Sequence, residues 1–101
     1  MNSANLQLEG LLIAIASINK LLVSKGIVTD REMTLSLETA KQSILGESRL
    51  DELDPAQRDA IAFPIRLLLL ANHDSTETGV LPFSELAKMV GQTKDRYNDQ
   101  R

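Results

Sequence analysis

One short stretch gathers side chains that could do chemistry together. His73-Asp74-Ser75-Thr76-Glu77 sets the single histidine beside two carboxylates and two hydroxyls. An imidazole that titrates near neutral pH, next to an acid, can bind a metal or relay a proton. The spacing argues against both roles. A helical metal site uses two ligands one turn apart and a phosphate site a glycine-rich cradle, and this stretch has neither. It reads instead as the end of a helix, where His73 suits the dipole, followed by the turn formers Asp74, Ser75 and Thr76. The chain also lacks cysteine, which excludes disulfides, thiolate metal sites and cysteine nucleophiles. No catalytic residue, metal ligand or cofactor is expected, and the protein is read as a non-enzyme.

A second stretch bears on nucleic acid. In Glu85-Leu86-Ala87-Lys88-Met89-Val90-Gly91-Gln92-Thr93-Lys94-Asp95-Arg96-Tyr97, a small residue precedes a glycine by four positions, with Leu86 and Val90 at the flanking apolar positions. The pattern resembles the middle of a helix-turn-helix DNA-binding motif. The resemblance implies a turn at Gly91 and a second helix that offers Thr93, Lys94 and Arg96 to DNA. Gln92 departs from the pattern where an apolar residue is wanted, and Asp95 and Asp99 would lie on the recognition helix. The formal charge of −3 also opposes a polyanion. A small DNA-binding regulator using residues 84–101 is therefore the alternative function. The simpler reading is an amphipathic helix that ends at Gly91, with a polar, frayed tail over 92–101.

Both stretches depend on the elements that carry them. The 101 residues suffice for one domain, and 43% apolar with 25% charged residues is a globular composition. With aromatics at only 3%, the core must be aliphatic, and the abundance of Leu, Ala, Glu, Gln and Lys favours helix over strand. Ser3 or Asn5 can cap a first helix to about Lys25, striped by Leu8, Leu11, Ile15, Ile18 and Leu22 and ended by Gly26. Ile13 falls outside that stripe, among Glu9, Ser17 and Lys20. Thr29-Asp30-Arg31-Glu32 is a capping box, and opens a helix with Met33, Leu37, Ala40 and Ile44 on one face, closed by Gly46. The short connection makes the two an antiparallel hairpin. Asp54-Pro55 starts a third helix to about Asn72. Pro64 lies inside it, where its missing N–H forfeits the bond to the Ala60 carbonyl and predicts a kink. A last helix starts near 82–84, with Phe83, Leu86 and Val90 on one face. The expected fold is all-α, a small bundle of four main helices forming a single domain over 1–91, followed by the tail.

The third helix has two apolar faces, Ile61, Ile65 and Leu68 on one and Phe63, Leu67 and Leu70 on the other. The first and fourth helices could cover both sides. The reading favoured is that the second face, together with Ile13, meets another copy of the chain. Ile13, Phe63, Leu67 and Leu70 are thus the expected interface of a protein–protein interaction module, homodimeric or bound to another protein. Ala14-Ile15-Ala16 resembles a signal-peptidase site, but residues 1–10 hold Glu9 and no Lys or Arg. Asn19 and Lys20 interrupt the apolar run short of a membrane span. A soluble, cytoplasmic protein with no membrane partner is expected.

Overall fold

Short local sequences set where each helix begins and ends. In the computed structural model, which describes residues 3–47, 52–73 and 79–98 with backbone alone from 94 onward, the chain is all-α. Helix α1 spans Ser3–Ser24, α2 Asp30–Leu45, α3 Pro55–His73 and α4 Phe83–Asn98, with no β-strand among the described residues. Gly26 takes φ 75°, the left-handed region that glycine enters cheaply. Its N–H donates to Val23 O (3.0 Å) and that of Ile27 to Leu22 O (3.0 Å), which satisfies the last carbonyls of α1 in a Schellman turn.

The capping box forms as the sequence predicts. The Glu32 amide donates to Thr29 Oγ1 (3.0 Å) and the Thr29 amide to Glu32 Oε1 (2.8 Å). Asp54 and Gln57 repeat the arrangement at the start of α3, with bonds of 2.8 and 3.1 Å. Thr29→Ala removes one acceptor from an exposed helix end and should cost about 0.5–2 kcal/mol. A urea melt measures this, and an unchanged midpoint would contradict a role for the cap.

Helix α3 is the element on which the others pack. It runs without interruption through Pro64, the lost bond being tolerated inside a helix held by packing on both sides. Helix α2 lies antiparallel along it and is tied at each end. Asn72 Nδ2 donates to Thr34 Oγ1 (3.2 Å), and Arg58 Nη2 donates to the Leu45 carbonyl (2.8 Å). Helices α1 and α2 follow one another closely in sequence yet touch little, because each packs mainly on α3. The core joins Leu12 and Ala16 of α1, Leu67, Leu68 and Ala71 of α3, and Leu86 and Val90 of α4.

The last helix corrects the sequence reading. It does not stop at Gly91 but continues to Asn98, so residues 92–98 are helix and only 99–101 of the expected tail lie outside the described residues. Gly91 does not take positive φ, and Thr93 Oγ1 bonds back to Met89 O (2.9 Å) across it. A glycine permits a helix end without requiring one, and neither proline nor a capping turn follows here to make the break.

Candidate interaction surface

The four residues expected to meet a partner lie within the fold. Leu67 is 0% exposed, and Ile13, Phe63 and Leu70 are half-buried against the core. The Phe63 ring stands edge-to-face on Phe83 of α4, with centroids 6.3 Å apart. Helices α1 and α4 together therefore cover the second apolar face of α3. Within one copy, three helices pack around α3, which removes Leu67 from solvent and leaves Ile13, Phe63 and Leu70 partly exposed.

Most of the exposed large aliphatic residues lie on α1, with Ile27 and Leu35 exposed outside it. The inward seam of α1 is Glu9, Leu12, Ala16, Asn19 and Val23, one position on from the expected stripe at each step, a rotation of about 100°. Leu11 at 57%, Ile18 at 56% and Leu21 at 51% exposure face outward, with Leu8 beside them. Ile15 and Leu22 are left half-buried at the edge. The helix thus turns Leu12 and Ala16 toward the core, with Ile13 and Ile15 packed beside them, and leaves Leu11, Ile18 and Leu21 facing away from it.

Within α1 the outward face is also uncharged, Lys25 following one residue beyond its end. Glu9 and Lys20, the two charged residues within α1, are both half-buried on the flank nearer the core. Two serines on the outer side turn back on their own helix, Ser17 Oγ donating to Ile13 O (2.9 Å) and Ser24 Oγ to Leu21 O (3.0 Å). Their hydroxyl donors are satisfied without water, so the face can be dehydrated without stranding them. Gly10 lies on the same side, and a Cβ there would meet nothing within 4 Å. A mid-helix glycine that packs against nothing in its own chain weakens the helix with no return inside the fold. Gly10→Ala is therefore expected to stabilise the isolated fold by about 0.5–1 kcal/mol. Thermal melts at low concentration check this, and a lowered midpoint would show that the glycine serves the monomer.

Helix α1 runs on past Asn19 and Lys20, so these do not cut the apolar segment short as a helix. By length and composition alone it is long and apolar enough to cross a membrane.

The remaining candidate sites are described only in part. His73 is the exposed last residue of α3, and residues 74–77 of its expected cluster lie outside the described residues. Among the described residues no group of three His, Cys, Asp or Glu side chains could hold a metal ion. The helix-turn-helix lacks its turn, because Thr93, Lys94 and Arg96 continue the single helix α4. A shallow groove of about 250 Å³ is lined by Leu45, Pro55, Arg58, Asp59 and Arg66. Arg66 Nη1 meets Asp59 Oδ1 at 3.1 Å within α3, and Arg58 donates to the Leu45 carbonyl at the end of α2, which ties the two helices together.

Sequence reasoning misses Leu11, Ala14, Ile18 and Leu21 as one surface. A signal exists, since both charges of α1 fall on one side and leave more than half its circumference apolar. No protein-family model, curated protein or solved structure matches the chain.

Proposed function

We propose that this protein is a non-enzymatic, cytoplasmic helical interaction module that associates with a second copy of itself through the outward face of α1. One observation carries the reading: a 22-residue helix turns its uncharged leucine- and isoleucine-bearing side away from its own core. An exposed apolar surface of this kind marks an interaction site. The outer side of α1 offers about a dozen residues, fewer than the roughly 20–30 a side of a standard interface. Association through α1 alone is therefore weak and concentration-dependent.

Sedimentation velocity over a wide concentration range tests this. The expected result is a reversible shift from monomer to dimer, and a monomer at every concentration would refute self-association.

A second reading rests on the apolar length of α1. At 1.5 Å per residue the helix is about 33 Å long, enough for a hydrocarbon core of about 30 Å. Spanning a bilayer, however, would strip Leu12 and Ala16 from the core. Lying in the interface usually draws on a basic polar face, whereas α1 holds one lysine and one glutamate. Flotation with neutral and anionic vesicles decides between them. Protein that stays with the aqueous fraction favours self-association, and protein that floats favours the lipid reading.

A further inference from the structure

The outward face also constrains how two copies would meet. Resting on the self-association proposed above, we infer that the two α1 helices pair antiparallel, in the one register that sets Ala14 opposite the partner's Ile18. Gln7, Leu11, Ala14, Ile18, Leu21 and Lys25 alternate spacings of four and three, and all are exposed. That spacing forms the seam along which one helix packs into another, knobs into holes.

Size and charge select the orientation. A parallel pair stacks each seam residue on its own copy. It sets Ala14 on the partner's Ala14, which leaves a gap, and Lys25 on the partner's Lys25, which repel. In the antiparallel pair Leu11 meets the partner's Leu21 and Ala14 meets the partner's Ile18, each layer occurring twice about the two-fold axis. Large then faces large at the ends of the apolar seam, and small faces large at its centre. Gln7 meets the partner's Lys25 at the wet margins, an amide facing an ammonium group. Each helix N-terminus also lies near the other's C-terminus, which opposes the dipoles. The antiparallel registers one heptad to either side put the Gln7 amide against the partner's Ile18, or Ala14 against the partner's Lys25, and so bring a polar group onto the apolar seam.

Gly10 and Ser17 flank this seam on one side, and neither is filled from within the chain. Gly10 has open space where a Cβ would stand, and the Ser17 hydroxyl is turned back onto its own helix. Both let the second backbone come close.

The chain holds no cysteine, so an introduced thiol is the only one present. Single variants Ala14→Cys and Ile18→Cys, one carrying a mass tag, are mixed in equal amounts and mildly oxidised; Leu11→Cys with Leu21→Cys forms a second pair. Circular dichroism confirms that each variant folds, both positions of each pair being on the outside. The expected result is a mixed disulfide dimer well above the statistical half of all cross-linked product. A preference of each variant for its own kind overturns the antiparallel register. So does a dimer by sedimentation that cross-links at neither pair. A monomer by sedimentation that cross-links nowhere overturns the self-association reading itself, a different outcome from the failure of the register.

Discussion

Leu67→Ala is expected to lower the stability of the fold by about 2–5 kcal/mol, a large part of the total for a domain of this size. Leu67 is wholly buried where α1, α3 and α4 meet, in one cluster with Leu12, Ala16 and Leu86. Truncation forfeits the transfer of its methyl groups and leaves a cavity that the surrounding helices can only partly close. Few residues share the load. Among the described residues, Leu67 and Leu86 are the largest side chains fully removed from solvent. Urea denaturation at low concentration measures the effect. A loss below about 1 kcal/mol would place Leu67 outside the core and return it to the interface that its sequence position suggests.

Ile18→Glu is expected to do the opposite, abolishing the dimer while leaving the fold intact. Ile18 is more than half exposed, so a carboxylate there stays in water in the monomer, and stability should change by no more than about 0.5 kcal/mol. In the dimer the same carboxylate is buried against Ala14 of the facing helix, unpaired and present twice. An uncompensated buried charge costs several kcal/mol, more than a weak helix pair can supply. Sedimentation and thermal melting of the variant together check the prediction. A dimer that survives the substitution would move the interface off α1.

The helix boundaries are legible in the sequence because their signals are local. Gly26, Thr29 with Glu32, and Asp54 with Pro55 each settle their own backbone bonds within a few residues, whatever the rest of the chain does. The end of α4 is not legible for the complementary reason, since Gly91 allows either continuation or a stop and nothing adjacent decides. The orientation of α1 is not legible from its apolar pattern. Its apolar residues cover so much of its circumference that the stripe through Leu8, Leu11, Ile15, Ile18 and Leu22 is the obvious inward face. Packing on α3 brings in Leu12 and the small Ala16 instead, and only the position of α3 reveals this. The same lack of tertiary knowledge hides how far Phe63, Leu67 and Leu70 are buried within one copy. Two apolar faces on α3 show that both sides are buried, but not that α1 and α4 do the burying.

The account turns on what the outer side of α1 touches, and isotope-filtered nuclear Overhauser spectroscopy answers this directly. Mixing uniformly labelled with unlabelled protein at high concentration leaves only contacts between different copies in the spectrum. Contacts from the methyl groups of Leu11 and Ile18 to Leu21 and Ala14 of the other copy are predicted. Contacts confined to another helix, or none at all, would contradict it.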